Sequence, residues 1–112
     1  MSPARQALLD VLHELGRATA KFPTWPTDPL HAIAVIGEEF GELTKDALQL
    51  TYEPHKTTPA NLRAEAIQTA AMALRFAISL DRYEVKPSAQ HEQDARDLLA
   101  EVNASMPPRS TP

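Results

Sequence analysis

The sequence predicts an all-α fold in a single small domain. Apolar residues recur three and four apart over long stretches, and prolines fall between these stretches and not within them. The chain has 112 residues, of which 43% are hydrophobic, with ten prolines and three glycines. This length can bury one modest core but is too short for two.

Three helices are expected to begin at a capping residue followed by proline, because the side chain accepts a backbone hydrogen bond and proline needs no donor at the first helical position. The Pro-rich turn around Trp25 separates the first two of these helices, since closely spaced prolines forbid continuous helix. The pairs are Ser2-Pro3, Asp28-Pro29 and Thr58-Pro59, and the expected helices are 3–20, 29–50 and 59–82.

A fourth, weaker amphipathic pattern predicts a short helix over 88–103, with Ala95, Leu98, Leu99 and Val102 on one side. Residues 106–112 hold three prolines and almost nothing apolar, which favours a disordered tail. We therefore expect one domain over 1–105 and a tail after it.

Composition excludes several classes of function. The net charge is −4 and no Lys/Arg cluster occurs, so nucleic-acid binding is disfavoured. The chain has no cysteine, which removes disulfides, thiol nucleophiles and zinc-cysteine sites. No leader pattern opens the chain and no apolar stretch approaches bilayer length, so we expect a cytoplasmic protein with no membrane partner.

The second helix carries an acidic face. Glu39, Glu42 and Asp46 lie three and four apart, with Glu38 at the edge of the same sector, and like charges at this spacing repel. The face is either solvated or relieved by a bound cation.

The third helix is apolar or small nearly all round, which predicts that it is buried, and a monomer with three other helices can hardly bury it. We therefore expect at least a dimer. Glu65 falls among its apolar residues, where an unpaired charge is costly, so its carboxyl is protonated, salt-bridged or bound to a cation. If the second and third helices pack antiparallel, Glu39 and Glu42 face Glu65 and Gln68. Such oxygen donors suit Mg²⁺ or Mn²⁺ and a phosphate-bearing substrate.

The segments 36–43, with Glu38, Glu39 and Glu42, and 61–76, with Glu65, resemble the MazG-like group of all-α nucleoside triphosphate pyrophosphohydrolases. The resemblance covers about residues 28–83. It implies a four-helix MazG-like bundle assembled as a homodimer or homotetramer. It also implies Mg²⁺-dependent hydrolysis of a (deoxy)nucleoside triphosphate between the α and β phosphates, giving the monophosphate and pyrophosphate.

The family motif is an EExxE stretch followed by an ExxD stretch. Glu38, Glu39 and Glu42 match the first, and Glu65 opens the second, whereas Gln68 stands where the family has an aspartate. The resemblance implies Glu38, Glu39 and Glu42 as catalytic residues. It implies Glu39, Glu42, Glu65 and Gln68 as metal ligands, Gln68 through its neutral carbonyl oxygen.

Several basic residues are candidates to hold the β and γ phosphates: Lys45, Arg63 and Arg75, with Lys56, Arg82 and Lys86. Trp25 either stacks on the base or plugs the end of the bundle. Two other functions stay open. Gln68 could mark a non-catalytic helical module that binds nucleotide or protein without turnover, or the chain could be a structural dimer with Glu65 in a salt bridge.

Overall fold

The computed structural model describes residues 2–84 and 89–106, and within these ranges the chain is helical with no strand. The four α-helices are α1 (Pro3–Lys21), α2 (Pro29–Tyr52), α3 (Pro59–Ile78) and α4 (Ala89–Ser105). Single 3₁₀ turns at Pro54–Lys56 and Leu80–Arg82 flank α3. The predicted all-α fold is confirmed. The predicted tail falls almost wholly outside the described residues, which end at Met106.

The three predicted helix starts are confirmed by their caps. The Ser2 hydroxyl accepts a hydrogen bond from the Arg5 N–H at 3.2 Å, and the Thr58 hydroxyl accepts one from the Asn61 N–H at 3.1 Å. The Asp28 carboxylate accepts from the Leu30 N–H at 3.0 Å. Each cap satisfies a donor that has no partner within its helix, so the helix boundaries follow from local sequence.

The centre of the fold is α3, which packs against both α1 and α2. The buried cluster at this junction is small, formed by Ala18, Ala71 and Met72. Half-buried apolar side chains pack around it: Val11, Leu15, Trp25, Val35 and Ile36.

Within one chain, α3 is covered on one side: Ala71, Met72 and Arg75 are its buried residues, because α1 and α2 pack there. Burial of the rest of α3 by a second copy stays a prediction. The opposite side, with Ala66, Ala70, Ala73 and Ala77, is exposed. The packed unit has three helices and not four, since α4 packs against none of the other described elements.

The loop between α1 and α2 is fastened to the end of α3. The Trp25 indole N–H donates to the Tyr83 hydroxyl at 2.7 Å, and this hydroxyl donates to the Phe76 carbonyl at 3.2 Å. The Glu84 N–H donates to the Thr27 carbonyl at 3.0 Å. These hydrogen bonds hold the loop between α1 and α2 against the C-terminal end of α3. None of the helices in the described ranges has the length and apolarity needed to cross a bilayer.

The Tyr83 hydroxyl bridges two parts of the fold, so Tyr83→Phe removes the acceptor of a part-buried indole N–H. We expect a loss of about 1 kcal/mol in the free energy of unfolding, measured by urea denaturation. Tyr52→Phe is the matched control, because Tyr52 is 77% exposed and should leave stability unchanged. Equal stabilities of the two variants would contradict this role.

Candidate functional site

The site is built where α2 packs against α3. Glu65 projects from α3 into this junction, and its Oε2 atom is buried with no hydrogen-bond partner among the described residues. Such an orphaned carboxylate oxygen is rare, because a buried charge without a partner is costly.

Three carboxylates of α2 lie near enough to Glu65 for their charges to act on its pKa. Burial raises the pKa of Glu65 above its usual value, and the charges of Asp46, Glu39 and Glu42 raise it further. Burial also raises the pKa of Glu39, with further contributions from Glu42, Glu14 and Glu38. We call Glu39, Glu42, Asp46 and Glu65 the acidic cluster.

The arginines near the cluster are engaged elsewhere. Arg63 forms a salt bridge with Asp10 of α1 at 2.7 Å. Arg75 is buried, donates to the Phe22 carbonyl at 2.7 Å and lies over the Trp25 ring at 4.8 Å. In residues 2–84 and 89–106, the structure has no salt bridge to Glu65. Among the described residues, no salt bridge therefore offsets the repulsion within the acidic cluster.

The chemistry of the donors fits a hard divalent cation, since carboxylate oxygens are joined by the Gln68 amide and the Glu65 Oε2 atom lacks a partner. In the described conformation, however, no three His, Cys, Asp or Glu side chains of the described residues are grouped closely enough to hold a metal ion. Glu42 is exposed and can turn toward Glu65. A coordination sphere here requires such side-chain rotation.

A cavity of about 290 Å³ adjoins the acidic cluster, shares Glu39 with it and is also lined by Gln68. Its lining includes the apolar side chains of Phe22, Trp25, Val35 and Met72 and the polar side chains of Glu14, Arg17 and Arg75. The Arg17 guanidinium is bonded to Glu14 and holds the pKa of that carboxyl below its usual value. The cavity can take a ligand with both an apolar and a polar part.

The structure brings some predicted site residues together and separates others. Glu39, Glu42 and Glu65 form part of the acidic cluster, and Gln68 lies between it and the cavity. Glu38 is exposed at the edge.

Some of the predicted substrate-binding residues line the cavity and others do not. Trp25 and Arg75 line the cavity, whereas Arg63 is paired with Asp10. Lys45 lies on another side of α2, with Leu48 and Tyr52, and Lys86 lies outside the described residues.

Two acidic residues near the site are absent from the predicted site residues. The sequence puts Asp46 on the acidic face but does not indicate a role in the site, although its charge acts on the pKa of Glu65 more strongly than those of Glu39 and Glu42. Its position four residues after Glu42 was the available signal. Glu14 of α1 acts on Glu39, and no local pattern reveals this, because the sequence does not state where α1 crosses α3.

The chain matches no protein-family model, no curated protein and no solved structure.

The orphaned carboxyl predicts a dependence of stability on pH. A carboxyl whose pKa is raised on folding binds more protons in the folded state than in the unfolded state. Stability therefore falls as pH rises from 4.5, the ordinary pKa of the group, through the raised pKa of Glu65. Glu65→Gln should remove part of this fall and raise the free energy of unfolding at pH 7, because it removes the charge that burial and the neighbouring carboxylates disfavour.

Urea denaturation between pH 4 and 8, without divalent cations, measures the effect. Glu101→Gln on α4 is the control, because Glu101 is exposed on a helix that packs against no other described element. A Glu65→Gln variant that is less stable at pH 7 would show that the carboxylate is compensated.

Proposed function

We propose that this protein is a cytoplasmic, Mg²⁺-dependent nucleoside triphosphate pyrophosphohydrolase of the MazG-like group. It would cleave a (deoxy)nucleoside triphosphate between the α and β phosphates and release the monophosphate and pyrophosphate. The observation that carries the proposal is the orphaned Glu65 Oε2 atom, buried beside the carboxylates of Glu39, Glu42 and Asp46.

A hard cation is the ligand that this cluster favours. Glu39, Glu42 and Glu65 would hold it, with the Gln68 carbonyl oxygen as a neutral donor, and Mn²⁺ could replace Mg²⁺. When bound, the ion would neutralise charge on the triphosphate and polarise the α-phosphoryl group. Its binding would also remove the repulsion that raises the pKa of Glu65 and Glu39.

The reaction is a displacement at the α-phosphorus. A water oxygen bonds to that phosphorus, the bond from phosphorus to the α,β-bridging oxygen breaks, and pyrophosphate leaves. Glu38, exposed beside Glu39, would be a further ligand or would orient the water. The carboxylates thus hold the reacting groups in position, which is the main contribution that a protein makes to phosphoryl transfer.

The cavity supports the choice of a nucleotide over free phosphate. Its apolar side chains, among them Trp25, would take the base, and Glu39 of the acidic cluster and Gln68 also line it. Of the candidate cations, Arg75 lines the cavity, so Trp25 and Arg75 are the substrate-binding residues best supported by position. To bind a phosphate, Arg75 would have to leave the Phe22 carbonyl and Arg63 would have to leave Asp10. Lys45 lies elsewhere on α2.

Assembly as a homodimer or homotetramer is part of the proposal. Its support is the large apolar surface that the three packed helices leave open on α2 and α3. Burial of this surface would add to a small core.

The activity is tested by incubating the chain with a panel of nucleoside triphosphates and Mg²⁺ or Mn²⁺ and measuring pyrophosphate. We expect release by the wild type and by Glu101→Gln, and a loss of at least 100-fold in Glu42→Gln. In ¹⁸O-labelled water the label should enter the monophosphate, since attack is at the α-phosphorus. Label in pyrophosphate, or no turnover with either metal, would contradict the proposal.

The second candidate is a non-catalytic module that binds nucleotide or protein, favoured by the neutral Gln68 at an expected ligand position. Gln68→Asp separates the two, because an added carboxylate strengthens Mg²⁺ binding. If the chain is an enzyme, we expect Gln68→Asp to lower the Mg²⁺ concentration for half-maximal rate by about tenfold. If it is a module, nucleotide raises the melting temperature while pyrophosphate release stays at background in both forms.

A structural dimer without a ligand is the third candidate. It predicts that millimolar Mg²⁺ and nucleotide together leave the melting temperature unchanged, because a ligand specific to the folded state must raise it.

A further inference from the structure

An ion pair of α1 lines the cavity and has no part in the reaction described above. Both oxygens of the Glu14 carboxylate accept hydrogen bonds from the Arg17 guanidinium, one from Nε at 2.8 Å and one from a terminal nitrogen. The Glu14 side chain is 15% exposed, whereas the Arg17 side chain is 51% exposed. Both residues line the cavity. The pair is therefore anchored through its carboxylate, and its guanidinium is open to a ligand.

Two contacts between α1 and α3 show at which end of the cavity this pair lies. Each joins residues 53 positions apart: the salt bridge of Asp10 with Arg63, and the hydrogen bond of the Phe22 carbonyl with Arg75. The two helices therefore run parallel with this offset, which puts Glu14 and Arg17 level with residues 67–70 of α3. Gln68 is in that range, and the charge of Glu14 acts on the pKa of Glu39. The ion pair thus lies at the end of the cavity that adjoins the acidic cluster.

The other end of the cavity already has a different arginine. Arg75 comes seven residues after Gln68, about 10 Å farther along α3. It is buried, donates to the Phe22 carbonyl and lies over the Trp25 ring. If Arg75 turned to a phosphate, the loop between α1 and α2 would lose one of the bonds that hold it.

Arg17 can bind an anion without giving up its partner. A guanidinium has five N–H donors, and the two bonds to Glu14 leave three of them. Glu14 is the only hydrogen-bond partner of Arg17 within residues 2–84 and 89–106. The planar arrangement of these donors matches the oxygens of a phosphate, which arginine binds through two parallel hydrogen bonds.

A triphosphate beside the acidic cluster requires a cationic side chain in addition to the metal. One divalent ion leaves the triphosphate with a net negative charge, and the carboxylates of the cluster repel that charge. Arginine commonly supplies this compensation in phosphoryl transfer. Among the arginines that line the cavity, Arg17 is the one at the cluster end.

We infer that Arg17 binds a phosphate of the triphosphate, and that Glu14 is the positioning residue that holds its guanidinium toward the acidic cluster. The inference rests on the proposed function and narrows its substrate class, because it makes the polyphosphate chain a recognised part of the substrate. Arg75 then keeps its bond to the Phe22 carbonyl and positions Trp25 at the other end of the cavity.

The test measures binding, so its result is separate from that of the turnover assay. Trp25 is the only tryptophan of the chain and lines the cavity, so its fluorescence reports occupancy. The probes are α,β-imido nucleoside triphosphates, which resist cleavage at the proposed bond, and the parent nucleosides, each titrated with Mg²⁺. We expect Arg17→Ala to raise the Kd of the triphosphate about tenfold or more and to leave nucleoside binding unchanged.

Arg5→Ala is the matched control for the loss of a positive charge. Arg5 is exposed on the same helix, about 18 Å from Arg17, and its variant should bind the triphosphate as the wild type does. Arg17→Lys keeps the charge but loses the planar set of donors, so we expect its Kd to stay about threefold or more above that of the wild type.

Glu14→Gln tests the positioning role by the sign of its effect. Removing a negative charge beside a bound triphosphate strengthens binding if Glu14 acts only through its charge. If Glu14 holds Arg17, we expect Glu14→Gln to weaken triphosphate binding in the wild type and to strengthen it in the Arg17→Ala background. Stronger binding in both backgrounds would overturn the positioning role.

Equal triphosphate affinities of Arg17→Ala and Arg5→Ala would overturn the inference, and so would a wild type that binds no triphosphate. A wild type that binds the triphosphate through Arg17 but does not turn it over would support the inference and contradict the proposed reaction alone.

Discussion

The carboxylate of Glu65 is the constraint around which the hairpin of α2 and α3 is organised. Its Oε2 atom is buried and has no hydrogen-bond partner in the described part of the chain, while Asp46, Glu39 and Glu42 add negative charge beside it. Burial and this charge raise the pKa of Glu65, which favours a proton or a cation at this oxygen over an unpaired charge. Proton and metal compete for the same group, and metal binding at this site would release protons. The packing of the two helices thus buries the oxygen on which the proposed chemistry rests.

Local rules accounted for most of the fold. The cap-plus-Pro pairs fixed the starts of α1, α2 and α3, because each cap is a contact within three residues of sequence. The face shared by Glu39, Glu42 and Asp46 followed from helical spacing, and the short connection to α3 brought Glu65 to the same side. These inferences hold because they depend on one helix or one hairpin.

What the sequence could not predict depends on how separate helices cross. The effect of Glu14 on Glu39 requires the path of α1 over α3, and the stacking of Arg75 on Trp25 requires the course of the Pro-rich loop. The composition of α3 predicts burial, but composition does not reveal that α1 and α2 cover only its side with Ala71, Met72 and Arg75. The described residues form a small core and leave large apolar side chains of α2 and α4 exposed, and local sequence patterns do not reveal this either.

Binding of a hard cation by the acidic cluster can be observed in crystals grown with Mn²⁺ and a non-hydrolysable nucleoside triphosphate, because the anomalous scattering of manganese locates the ion. We expect an anomalous peak within ligand distance, about 2.2 Å, of carboxylate oxygens from Glu39, Glu42 and Glu65, with the triphosphate on its open side. A map in which Glu65 remains without a metal neighbour, while the triphosphate is bound elsewhere or absent, would contradict it.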